Sequence, residues 1–321
     1  MILRKTCMAL LAMTACVALP VFWCDAAEDA WPRRPIQVVV PYAAGGDSDM
    51  NARIYLKYLE PLLGANMAVV NVSGGAGSIG ARRVKDARPD GYTTLFYQDA
   101  IIIGNATGTT DFTFRDFELP AIVAREGGFI VAVKSTSKWK TMEELVDDTV
   151  ANPNKINITG DIGGITYLIS SMLNKAGAKF NIVSHGGAST RLTALLGGHV
   201  DVAVVPLFNI KSYADSGEVR LLATMAPTRS QIAPDLPTAR ECGYDAAFQV
   251  SYFFMFPKGT PQPVLKKMGD ALEKIALSNK DYADDIKKSL MQEPFFVRGP
   301  EAIKIMEKQE HLINAFNLQG K

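Results

Sequence analysis

Apolar and polar positions along this chain switch between two periods. Residues 36–40 form a short β-branched run bounded by prolines. A glycine-containing stretch follows at 41–49, and then Ile54, Tyr55, Tyr58, Leu59 and Leu62 recur at helical spacing, with Gly64 at the expected C-terminal position. The cycle returns with a strand at 67–72, a glycine turn at 73–78 and a third strand at 93–97. Residues 129–133 read as a strand. Residues 141–150 read as a helix whose N-cap is Thr141, with Glu144 three residues on. Residues 156–159 lead into a turn at 160–164 and a helix that puts Leu168, Ile169, Met172, Leu173 and Ala176 on one stripe, ending at Gly177. A strand at 180–183, a turn at 184–189, a short helix through Leu192, Leu195 and Leu196, and a strand at 200–205 complete the middle. The C-terminal quarter reads as mostly helical, opening at Pro261 and Pro263 and resuming from Pro300 to Phe316. Strands alternating with helices predict an α/β fold built on parallel or mixed sheets.

Length and charge narrow this picture. At 321 residues the chain exceeds the ~250–300 at which single cores stop growing, so two domains or one large one are expected. Lys+Arg number 34 and Asp+Glu 33, which lacks the basic footprint of a nucleic-acid binder. The hydrophobic fraction of 48% excludes disorder.

The first 30 residues follow a different rule. Arg4 and Lys5 precede an uncharged, mostly apolar run to Trp23, and small residues follow at Ala26 and Ala27. This is the layout of a cleaved signal peptide over residues 1–27, which predicts an exported protein. Pro20 and the small-residue exit favour cleavage over a membrane anchor, and the apolar sequence continuing past Cys16 argues against lipid attachment there. Removing residues 1–26 leaves 32 charges of each sign. Cys242 is then the one remaining cysteine, so no intramolecular disulfide is expected, and a buried small apolar role suits it. His185, His199 and His311 show no metal-ligand spacing. No metal or cofactor is expected.

Four glycine turns, at 43–49, 73–78, 160–166 and 184–190, should each open a helix and present unpaired N–H groups to an anion. Any one of them is also explained as a tight strand-to-helix connection. Four turns at strand C-terminal ends converge on one crevice. The segment Gly75-Ala76-Gly77-Ser78-Ile79-Gly80 matches GxGxxG, with Asp99 near the expected acidic position, so an exported enzyme with a dinucleotide site is the alternative. Against it, Arg88-Pro89-Asp90-Gly91 shortens the following helix, and the motif stands in the second strand–helix unit. There is no Walker pattern and no GxSxG elbow. His185 beside Ser184 and Ser189, and Asp49 as a base, are the catalytic candidates. Their plainer readings are a polar loop residue and a first-turn dipole partner.

The order Trp31-Pro32, Pro35-Ile36, Val39-Val40-Pro41-Tyr42-Ala43-Ala44-Gly45-Gly46 with Asp49, Gly75-Ala76-Gly77 with Ile79-Gly80-Ala81, and Pro89-Asp90-Gly91-Tyr92-Thr93 resembles the Bug-type receptors of tripartite tricarboxylate transporters. Leu195-Leu196-Gly197-Gly198-His199-Val200-Asp201 and Pro257-Lys258-Gly259-Thr260-Pro261 carry the resemblance further. It implies a two-lobed, flytrap-like monomer, with residues 28–127 plus 252–321 as one lobe and 128–251 as the other. It also implies a small carboxylate ligand, membrane transporter subunits as partners, and no catalysis; sensing for a signalling partner would use the same fold. Ligand contacts would come from Tyr42, Ala43, Ala44, Gly45, Gly46, Ser48 and Asp49, with Ser73 and Gly74. The second lobe would add Gly163, Gly164, Thr166, His185, Gly186, Gly187, Ala188 and Asp201. Backbone groups and bridging waters, rather than a fixed arginine, would largely hold the ligand. Two departures from the family pattern stand out: Gly164 and Tyr167 replace a hydroxyl residue and a histidine, and Ser184-His185-Gly186-Gly187 replaces Tyr-Lys-Gly. His185 is therefore a candidate pH-sensitive donor.

Overall fold

The computed structural model describes residues 31–126 and 128–318. The expected signal segment lies outside them. Strands β1 (Ile36–Val40), β2 (Met67–Asn71), β3 (Thr93–Gln98) and β4 (Phe117–Arg125) alternate with helices α1 (Asp47–Leu63), α2 (Ser78–Lys85) and α3 (Ala100–Ala106). The middle of the chain runs β5 (Phe129–Lys134), α4 (Met142–Ala151), β6 (Asn157–Thr159), α5 (Ile165–Lys175), β7 (Asn181–Val183), α6 (Ala188–Leu196), β8 (Val202–Pro206), α7 (Leu207–Asp215) and β9 (Val219–Thr224). The last part holds β10 (Ser251–Pro257), α8 (Gln262–Ser278), α9 (Lys280–Leu290), β11 (Val297–Arg298) and α10 (Pro300–Asn314).

These strands form two mixed sheets, ordered β11-β4-β10-β3-β1-β2 and β7-β6-β8-β5-β9. Each belongs to one lobe of a two-lobed α/β protein. In the first, β1 runs parallel to β2 and β3, while β10 enters antiparallel between β3 and β4. In the second, β6 is parallel to β7 and β8, and β5 is antiparallel to β8 and β9. The chain passes from sheet to sheet between Arg125 and Phe129 and is back by Ser251. The two strand ends are tied where Glu126 N–H donates to the Val250 carbonyl at 2.9 Å.

Most expected elements form within a residue or two. Thr141 caps α4 by accepting the Glu144 N–H at 3.2 Å, an interaction whose loss costs about 1 kcal/mol. Gly64 ends α1 at φ 68°. Strands β4, β9 and β10 carry no alternation and are missing from the sequence reading. The run Tyr252-Phe253-Phe254-Met255-Phe256 is wholly buried because its strand is central and covered on both faces. Phe254 packs edge-on against Tyr55 and Phe96, and the Tyr55 hydroxyl donates to the Val123 carbonyl at 2.5 Å. Each such ring contributes about 1.5–3 kcal/mol by burial, so the first lobe is anchored by β10. Cys242 is half-buried rather than buried, with burial first and then nearby Glu143 pushing its thiol up to about 11.

Candidate functional site

The C-terminal ends of β1, β2, β3, β6 and β7 open onto one cavity of about 530 Å³ between the lobes. Three helices point their first turns at it: α1 behind Gly46, α5 behind Gly164 and α6 behind Gly187. None of the three has a side-chain cap, because glycine has no side chain to fold back. Their first N–H groups are therefore left for whatever fills the cavity.

The loop before α1 is held from behind. Asp49 is 2% exposed, and its Oδ2 accepts from Gly45 N–H and Arg53 Nε, both at 2.9 Å, while Oδ1 accepts from Asn71 Nδ2 at 3.0 Å. Burial pushes its pKa up, but the Arg53, Gly45 and Asn71 donors outweigh that and hold it below the usual carboxylate range. Asp49 is thus a brace rather than a cavity group. The Gly45 N–H is spent on it, and Ser48 is fully buried away from the wall. Tyr42, Ala43, Ala44, Gly46, Ser73 and Gly74 do line the cavity.

The GxGxxG match is a packing device. A Cβ on Gly77 would meet the Tyr97 hydroxyl at 2.4 Å, and one on Gly80 would stand 2.9 Å from Pro41 Cα and the Val72 carbonyl. Both glycines exist to let elements approach. Asp99 is buried at the start of α3 and accepts the Ser251 N–H at 2.7 Å, so it is turned toward β10 rather than toward a ribose. Gly75, Ala76 and Gly77 nevertheless line the cavity, and the Ala76 carbonyl accepts from Tyr97 at 2.8 Å and Tyr42 at 3.1 Å. Gln98 donates to the Tyr42 hydroxyl at 2.8 Å.

The second lobe is organised around Asp161 and Arg191, neither of which the sequence reading assigned. Asp161 Oδ1 accepts from the Ser184 hydroxyl, from His185 N–H at 3.1 Å and from Gly186 N–H at 2.9 Å. Arg191, 7% exposed, donates Nε to the Val204 carbonyl at 2.9 Å and Nη1 to the Gly186 carbonyl, and Nη1 lies 3.6 Å from Asp161 Oδ2. Burial pushes the Arg191 pKa down; Asp161, Asp47 and Tyr42 act the other way. An arginine thus stands fixed in the cavity wall, a group that the expectation of mainly backbone and water contacts did not include. A signal for it exists: Arg191 stands one turn after Gly187 and one turn before Leu195, on the buried stripe of α6.

Of the remaining expected residues, Gly164, Thr166, Gly186, Gly187 and Ala188 line the cavity. Gly163 does not: it faces the other lobe at Thr109. The His185 side chain is not on the wall, and its N–H is taken by Asp161. Asp201 lies away from the cavity, where its carboxylate accepts the Asn157 N–H at 2.8 Å. Asp47, Ile162, Ile165, Ser184, Ser189 and Thr190, all within the expected glycine turns, also line it, as does Phe129, which was not singled out.

Known proteins are similar to this chain in sequence and in fold. The family model described as the tripartite tricarboxylate transporter family receptor matches residues 52–316. A UPF0065 protein of the gbd 5′ region in Cupriavidus necator is 31% identical over 317 residues, covering 96% of this chain and 95% of its own. The solved periplasmic binding protein BugD superposes with a TM-score of 0.79 at 26% identity, over 91% of this chain and all of its own. MatC from Rhodopseudomonas palustris, solved with bound malate, superposes with a TM-score of 0.80 at 23% identity, over 89% of this chain and all of its own. The glycine-capped cleft, the two mixed sheets and the family match agree, and this chain belongs to the tripartite tricarboxylate transporter receptor family, among its Bug-type members.

Proposed function

We propose that this chain is a periplasmic receptor, exported by cleavage of residues 1–27, that captures a small carboxylate between its lobes as a monomer. It delivers that ligand to the membrane subunits of a tripartite transporter and performs no catalysis. The observation that carries this reading is the set of three uncapped helix N-termini, at Gly46, Gly164 and Gly187, facing one cavity. A helix end favours an anion by only about 0.3–2 kcal/mol, whereas hydrogen bonds to a charged acceptor give about 1.5–3 kcal/mol each. Micromolar binding requires about −8 kcal/mol, so several direct or water-bridged N–H contacts are needed, and three first turns offer them. The malate held by MatC in the same fold supports a carboxylate. Calorimetry tests the reading: malate, adipate, citrate and amino dicarboxylates are titrated into the purified protein. One-to-one micromolar binding of at least one carboxylate is expected. Heat and melting temperature that stay flat across the whole panel would refute it.

A further inference from the structure

The charges on the cavity wall do not suit a plain dianion. Its formally charged groups are Asp47, Asp161 and Arg191, two carboxylates against one guanidinium, which leaves the wall at −1. Asp161 is already neutralised locally: three donors reach its Oδ1 and Arg191 stands beside its Oδ2. Asp47 is the excess. It opens α1, where the helix end favours a negative charge, and its Oδ2 accepts from the Tyr252 hydroxyl at 2.5 Å. Its Oδ1 has no hydrogen-bond partner among the described residues. On the opposite lobe, Arg191 has spent Nε and Nη1 on carbonyls, and its Nη2 makes no hydrogen bond among the described residues. Asp47 from the first lobe and Arg191 from the second line the same cavity.

We infer that the ligand carries a cationic nitrogen as well as its carboxylate, as an amino acid does. The ammonium faces Asp47, and the carboxylate meets Arg191 Nη2 and the first turn of α6. This rests on the carboxylate-receptor reading above and narrows it: a dicarboxylate without an amine brings two like charges to a wall already at −1, while an amino acid supplies the missing positive one. Arg191, 93% buried and pinned by two carbonyls, is a pre-oriented fork whose remaining donor cannot swing away.

Paired titrations test it. Malate is compared with L-aspartate, adipate with L-2-aminoadipate, and 3-phenylpropionate with L-phenylalanine; each pair shares a skeleton and differs at the amine. In whichever pair fits, the amino member is expected to bind at least tenfold tighter. Asp47→Asn keeps an acceptor for Tyr252 and removes the charge, so it is expected to bring the two members within about threefold. Arg191→Gln is expected to weaken both members alike, with Arg191→Lys as the check should the glutamine variant unfold. If malate, adipate or 3-phenylpropionate binds as tightly as its amino partner, or if the preference survives in Asp47→Asn, the inference falls while the carboxylate receptor stands. Tightening of malate to the level of aspartate by added Mg²⁺ would also overturn it, since the cation would then be a metal. Binding by no member of any pair would overturn the inference, and silence of citrate as well would overturn the receptor reading with it.

Discussion

On the first lobe, the loop that opens α1 is braced by Asp49, whose charge is answered by Arg53, a residue half-exposed outside the cavity. On the second, the loop that opens α6 is braced by Asp161, whose charge is answered by buried Arg191 inside the cavity. Both aspartates collect loop N–H groups, and both sit behind glycine caps. The difference lies in where the counter-charge lives. An outside partner lets a brace shape the loop without contributing to the binding surface, while an inside partner makes the brace part of the electrostatics the ligand meets.

Removing the inner brace should do the most damage. Asp161→Ala strips three donors of their acceptor and leaves Arg191 buried without a counter-ion, so a loss of about 3–5 kcal/mol is expected in urea unfolding. A loss below about 1 kcal/mol would mean that the Gly186 and Val204 carbonyls alone satisfy the guanidinium.

Asp99 belongs to neither wall and shows what a buried carboxyl does without a full brace. Burial raises it to about 7, against the Ser251 N–H and Arg125, which pull it down. The folded protein therefore keeps a proton that the unfolded chain releases near pH 4, so stability is full below that pH and declines as pH rises to about 7, by roughly 1.4 kcal/mol per pH unit. Asp99→Asn should remove this slope while adding a constant offset. Chemical unfolding of both proteins between pH 4 and 8 measures it, and parallel curves would refute the raised value.

The outer brace ranks next. Asp49→Ala frees Gly45, Asn71 and a half-exposed Arg53, with an expected cost of about 2–3 kcal/mol, smaller than for Asp161 because Arg53 regains water. Equal losses in the two variants would erase the distinction between the walls. Smallest in stability is Gly187→Ala. The residue sits at φ −68°, open to any side chain, with nothing within 4 Å of an added Cβ, so stability should change by less than about 0.5 kcal/mol. Gly187 lines the cavity, and on the proposed carboxylate contact with α6 about tenfold weaker binding is expected by calorimetry. The effect would come from occupancy of the cavity rather than from backbone strain, since neither Gly46 nor Gly187 has positive φ.

Local signals carried much of the first lobe. Short β-branched runs and glycine turns mark β1, α1 and β2, and the turns at 43–46 and 73–74 do reach the cavity. Asp49 was visible as a first-turn acid, but its direction depends on Asn71, twenty-two residues away in the paired strand. Strand β10 escaped because a fully buried strand has no alternation to read. Asp161 and Arg191 escaped for a related reason: their meeting requires β6, β7 and β8 to lie side by side, which no local period encodes. His185 was a candidate from its glycine turn and Asp201 from the family resemblance, and tertiary pairing commits the His185 N–H to Asp161 and the Asp201 carboxylate to the Asn157 N–H.

Beside the cavity the two lobes also touch directly. An added Cβ on Gly163 would fall 2.7 Å from Thr109 Oγ1, and one on Gly164 would lie 3.6 Å from the Ala76 methyl. Gly163 and Thr109 do not line the cavity, so a substitution there would act on how readily the lobes come together rather than on the wall itself. Where the binding-competent geometry is occupied only a fraction f of the time, every apparent dissociation constant rises as 1/f. Substitutions at Gly163 or Thr109 would thus retune the receptor's working concentration range for all ligands at once and leave their ranking untouched, so sensitivity and selectivity can drift independently within one chain.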